Sequence, residues 1–130
     1  MPDVTFLSKI RRLRDMPRYL RTALAVLAGL VVAHGVVFGI EFIGHAVLSG
    51  AYLFVAPVVA YLLAAFLGVW VAIRLDRHHA LGVALAIVVV LLALALANLA
   101  AFPHPMWFSP AAAVALAAGG WAAWECGADR

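Results

Sequence analysis

The sequence predicts an all-α membrane protein: a four-transmembrane-helix up-down bundle behind a short basic, amphipathic N-terminal segment. Three observations carry that prediction. Of the 130 residues, 68% are hydrophobic and 12% charged, whereas ordinary soluble domains are about half apolar and a quarter charged. After about residue 21 the charges nearly vanish, and as far as Glu125 only Glu41 and the cluster Arg74, Asp76, Arg77 interrupt the apolar run. Short breaks then divide that run into pieces of about 20 residues, the length a helix needs to cross the hydrocarbon core.

Residues 1–21 form the basic leader. Phe6, Ile10, Leu13 and Leu20 fall on one side at helical spacing, with Arg11, Arg14 and Arg18 toward the other. This pattern suits a short helix lying in the headgroup layer, and Pro17 bends or ends it. Lys9, Arg11, Arg12, Arg14, Arg18 and Arg21 all precede the first span. Basic charge so placed points to anionic lipid headgroups rather than nucleic acid. The segment is long for the basic region of a signal peptide, and no Ala-x-Ala-like site closes the apolar run after it, so the first span is expected to be retained as a signal-anchor.

Residues 22–130 form the membrane domain, with spans expected at about 22–48, 52–74, 80–102 and 108–125. The connections are tight: Ser49-Gly50, then Asp76–His79, then Pro103–Pro105. Short connections force antiparallel neighbours. Pro57 falls near the start of the second helix, where a missing N–H costs least. Arg74 and Arg77 share a face with the leader, and the positive-inside rule places that face and both termini in the cytoplasm. Trp121 and Trp124 then sit at the inner interface and Trp107 with Phe108 at the outer one, as aromatic anchors.

A carboxylate inside a span costs about 2.5–3.5 kcal/mol on insertion scales, so Glu41 asks for a reason. At about 100° per residue, His34, Glu41 and His45 share a narrow arc of the first helix. Asn98 ends the third span at the same level, and His104 follows in the outer turn. Glu41, His45, Asn98 and His104 are therefore the candidate polar cluster, with His34 secondary as a satisfied interior histidine. Two imidazoles and a carboxylate are a donor set for a divalent metal such as zinc, copper or iron. The same residues also serve as interhelical glue or as a proton-handling group.

Other features read more plainly. Gly35-x-x-x-Gly39 is a close-packing motif that lies off the polar arc, so it faces another helix or a second copy of the chain. The prolines around His104 keep the third and fourth spans apart, which leaves His104 itself without a structural role. Arg74 and Arg77 snorkel to the headgroups, and the adjacent His78-His79 read as solvated loop. Cys126 is the single cysteine, which excludes an internal disulfide or a CxxC redox pair.

Glu41-x-x-x-His45, Ala65-Phe66-x-Gly68 leading to Ala72-x-Arg74, and Asn98-x-x-x-x-Pro103-His104-Pro105-x-Trp107-Phe108 resemble a group of uncharacterised small bacterial four-span membrane proteins. That group shares an ExxxH in the first span and an HPxWF turn before the last. The resemblance implies the four-span topology in a bacterial inner membrane and marks Glu41, His45, Asn98, His104 and Trp107 as shared positions. It implies no particular activity, and the first outer connection here is shorter and more apolar than the group's.

No Walker loop, nucleophile–base pair or redox pair is present in the sequence. The expected function is therefore non-enzymatic: a structural or accessory subunit, assembling with itself or with a larger membrane complex, with no cofactor required. Two alternatives stay open, a metal-binding membrane protein and a small proton-coupled cation exporter using Glu41.

Overall fold

The computed structural model describes residues 16–128. The amphipathic helix expected within the leader lies outside the described residues up to position 15. Among the described residues the fold is all-helical.

Helix α1 runs Arg18–Val47. It starts directly behind Pro17, whose carbonyl accepts from Leu20 N and Arg21 N at 3.0 and 3.1 Å. The proline thus opens the helix, and Arg18 and Arg21 belong to its first turn rather than to the leader. Leu48 N closes α1 on the Gly44 carbonyl at 2.8 Å. Gly50 then turns the chain at φ 60, a left-handed conformation that glycine adopts without a side-chain clash. A 3₁₀ turn over Gly50–Phe54 leads into α2, Val55–Leu75, with Pro57 in its first turn.

Asp76 N caps α2 on the Ala72 carbonyl at 2.9 Å. A 3₁₀ turn over Arg77–His79 follows, then α3, Ala80–Ala101. Pro103 and Pro105 fall in the next connection, as expected of residues that cannot continue a helix, and α4 occupies Phe108–Ala128.

Three helical stretches, Arg18–Val47, Gly50–Leu75 and Arg77–Ala101, are long and apolar enough to cross a membrane. Helix α4 has the length of α2, 21 residues, but with its run of Ala and Gly and Glu125 near the end it holds no stretch as apolar as those three. The fourth predicted span is therefore present as a helix, without the hydropathy of its neighbours.

Helix α2 is the centre of the packing, lying against α1 on one side and α4 on the other, with α3 touching α2 and α4. The sequence explains this. Ala56, Ala60, Ala64, Gly68 and Ala72 recur every fourth residue and are all buried, which puts them in one row along a helix. The facing row on α1 is Ala25, Gly29, Ala33 and Gly44. Small residues let backbones approach closely, and here the approach is tight. A Cβ on Gly68 would stand 2.7 Å from the Gly29 carbonyl oxygen, and one on Gly44 would stand 2.5 Å from Ala56 Cβ. On its other face α2 meets α4, where a Cβ on Gly119 would collide with the Leu62 carbonyl.

Gly35 and Gly39 take no part. A Cβ at either position would meet nothing within 4 Å. The GxxxG of α1 therefore faces away from the other described helices, beside outward-pointing Val31, Phe38, Phe42 and Ile43.

Candidate functional site

The polar groups gather at the two ends of the bundle. One end holds Glu41, His45, Asn98 and His104, all singled out in the sequence. Glu41 is half-buried on α1. Tyr61 of α2 is buried and accepts from Asn98 Nδ2 at 3.5 Å. Tyr61 and Asn98 thus join α2 to α3. Tyr61 was missed in the sequence. Its signal was its place one row away from the small residues of α2, at the depth of Asn98.

The histidines of this end turn elsewhere. His45 is exposed and donates Nδ1–H to the Glu41 carbonyl at 2.8 Å. His34 does the same to the Leu30 carbonyl at 2.8 Å and is also exposed, not interior. A bond to a carbonyl oxygen requires the proton on Nδ1, which leaves Nε2 as the free acceptor of the neutral ring. A histidine can satisfy itself on the carbonyl four residues back wherever it lies on a helix, so sharing Glu41's arc does not bring it inside.

His104 has the structural role that its sequence context concealed. Its Nδ1–H donates to the Phe102 carbonyl at 2.7 Å, and its ring stacks on Phe108 with centroids 4.6 Å apart. Phe54 meets both rings edge-on, and Tyr61 packs against Phe108. Phe108 is fully buried at the centre of this aromatic cluster. Such pairs contribute about 0.5–1.5 kcal/mol each beyond their buried area.

The proposed ligand set does not converge: among the described residues no three His, Cys, Asp or Glu side chains lie within reach of one metal ion. Trp107 is in the connection at the Glu41 end, and Trp121 and Trp124 pack with tilted rings near the far end of α4, centroids 5.4 Å apart.

The opposite end holds a cluster built on Asp76, which follows α2 directly. Its side chain is completely buried, the only buried charged residue among those described. Thr22 of α1 reaches it with Oγ1 2.5 Å from Oδ2. The Arg18 carbonyl also lies 3.1 Å from that hydroxyl, but a hydroxyl has one proton, and the carboxylate is the stronger acceptor. His79 Nδ1–H donates to Oδ2 at 3.2 Å, and Arg21 stands 3.6 Å from Oδ1. Oδ1 and Arg21 Nε have no hydrogen-bond partner among the described residues.

Burial alone would push the Asp76 carboxyl upward. The hydrogen bonds from Thr22 and His79, with the charges of His79 and Arg21, outweigh it and hold the carboxyl below its usual value. Asp76 thereby ties the first turn of α1 to the connection between α2 and α3. His79 belongs to this cluster and is not idle loop. Arg74 lies over the Trp70 ring, 4.8 Å from its centroid, a cation–π contact at the end of α2.

The sequence carried a signal for this site. Thr22 and Arg21 open the first span, and an up-down topology brings them to the level of the 76–79 connection. Asp76 is the single carboxylate among basic residues there.

Fold and site together define a class, a small helical protein with three helices fit to cross a membrane. Comparison adds no family to it: no family model, no curated protein and no solved structure matches this chain.

Proposed function

We propose that the chain is a non-enzymatic protein of the cytoplasmic (inner) membrane, with all four helices spanning, that serves as a structural or accessory subunit. Helix α4 supports the fourth span by its position. Phe108 lies beside Tyr61 and Gly127 beside Ile73, so α4 runs parallel to α2 along most of its length. A bilayer that encloses α2 encloses α4 as well, and its Ala and Gly are answered by close helix contact. Arg18, Arg21, Arg74 and Arg77 gather at one end, which the positive-inside rule puts in the cytoplasm together with both termini. The resemblance carried by ExxxH and HPxWF supports the same topology and a bacterial inner membrane.

The observation that carries the subunit reading is the outward face of α1. Gly35 and Gly39 offer a place of close backbone approach on a helix whose own bundle contacts run along the opposite row. Inside lipid, such a surface is a seat for another helix. Asp76 with Thr22, and Asn98 with Tyr61, are meanwhile spent on joining this chain's own helices.

The test is oxidative cross-linking in native membranes. With Cys126 replaced by Ser, Gly39→Cys is expected to give disulfide-linked dimers or a defined larger adduct, while a cysteine at outward Leu94 of α3 gives neither. No adduct from Gly39→Cys, together with a strictly monomeric particle in gentle detergent, would contradict the proposal.

A further inference from the structure

An open groove of about 780 Å³ runs along α1 at the Asp76 end. Arg18, Tyr19 and His79 stand at its mouth, and Val26, Leu27 and Leu30 line its depth. From Arg18 to Leu30 is twelve residues of helix, about 18 Å at 1.5 Å per residue. That is close to one leaflet of a hydrocarbon core about 30 Å thick. The groove therefore starts at headgroup level and ends near mid-membrane, polar above and apolar below.

Its charge is equally directional. The one carboxylate nearby among the described residues, Asp76, is buried and already engaged by Thr22, His79 and Arg21. The exposed Arg18 guanidinium leaves the mouth cationic, and His79 adds an imidazole N–H donor there. A second transmembrane helix would be as apolar at the mouth as at the bottom of the groove and would bury Arg18 against hydrocarbon.

We propose that this groove seats one acyl chain of an anionic phospholipid of the cytoplasmic leaflet, with the phosphate held by Arg18 and His79. The inference rests on the membrane orientation proposed above. The Tyr19 hydroxyl is placed to contact the glycerol region, as interfacial tyrosines do. Unlike attraction of lipid to the basic leader, this is a shaped site with a fixed depth.

The test is native mass spectrometry of the full chain released from nanodiscs containing equal phosphatidylglycerol and phosphatidylcholine. One phosphatidylglycerol is expected to be retained in preference to phosphatidylcholine. Ala23→Trp, which fills the groove and leaves every basic residue in place, is expected to abolish that preference. Arg18→Gln is expected to weaken it about fivefold, the worth of one basic residue near an anionic surface. The control Leu94→Trp, on the outward face of α3, is expected to leave it unchanged.

Equal retention of the two lipids would overturn the proposal. So would a phosphatidylglycerol preference that survives Ala23→Trp, which would assign it to the leader, or one that inorganic phosphate alone removes. Failure of the chain to enter nanodiscs would instead overturn the membrane reading on which it rests, so the two failures are distinguishable.

Discussion

The two ends of the bundle are held by different means. At the Asp76 end a single buried carboxylate gathers a hydroxyl, an imidazole and a guanidinium from the start of α1 and the α2–α3 connection. At the Glu41 end the carboxylate is only half-buried, and the helices are fixed by the Gly44–Ala56 approach and by aromatic stacking around Phe108. The more conspicuous charge in the sequence is thus the less committed one in the structure. An acidic side chain at a helix end can collect partners from the first turn of a neighbour and the following loop. One that projects from within a helix meets mostly apolar side chains.

This contrast breaks most visibly on removing each carboxylate. Asp76→Ala leaves Arg21 and His79 around an empty pocket, and loss of one member of a buried charge cluster costs about 3–5 kcal/mol. Arg21 and His79 keep some contact with solvent, so about 2–3 kcal/mol is expected here. Glu41→Gln is expected to cost under about 0.5 kcal/mol. Reversible unfolding of the full chain in mixed micelles measures both.

Packing separates two glycines near the Glu41 end. Gly44→Val forces a side chain into the space of Ala56 and is expected to cost about 1–3 kcal/mol. The same change at Gly39 meets open space and is expected to fall within about 0.5 kcal/mol of the parent. A large loss at Gly39 in dilute micelles would mean that α1 is packed differently.

Acid acts on the Asp76 end. Its carboxyl lies below its ordinary value of 3.8 in the folded protein, so folding releases its proton and the resulting stability is fully present above 3.8. That stability is lost as pH falls from 3.8 through the depressed folded value. Asp76→Asn is expected to remove this part of the acid dependence, and an unchanged acid profile would show the carboxylate to be unimportant. A comparably small effect belongs to Asn98→Leu, which deletes the bond to Tyr61. Interhelical hydrogen bonds in membranes average about 0.6 kcal/mol, and that is the loss expected from the same unfolding measurement.

Most of the architecture was legible in the sequence, because apolar length and proline placement are local properties. Spans expected at about 22–48, 52–74, 80–102 and 108–125 correspond to helices Arg18–Val47, Val55–Leu75, Ala80–Ala101 and Phe108–Ala128. The early start of α1 follows from Pro17, which serves a helix equally well as a boundary or a first-turn residue. The packing partners were less legible. Gly35-x-x-x-Gly39 and Ala25-x-x-x-Gly29-x-x-x-Ala33 have the same spacing, and only the second has a facing row, Ala60 through Ala72, at matching depth.

The sites divided in the same way. Asn98 was legible as a polar group between helices. The outward placement of His34 and His45 and the aromatic stacking of His104 were not, because each ring is satisfied on a carbonyl of its own segment and needs no partner helix. Asp76 stayed hidden because a charge in a connection reads as solvated until the helix beside it is placed.

The central claim is that Asp76, through Thr22, fastens α1 to the rest of the bundle, whereas Glu41 with His45 does not. Double-mutant cycles on the purified full chain test it directly, pairing Asp76→Asn with Thr22→Val and Glu41→Gln with His45→Ala. The account predicts a coupling of about 1–2 kcal/mol for the first pair and a value near zero for the second. A first coupling near zero, or a second as large as the first, would contradict it.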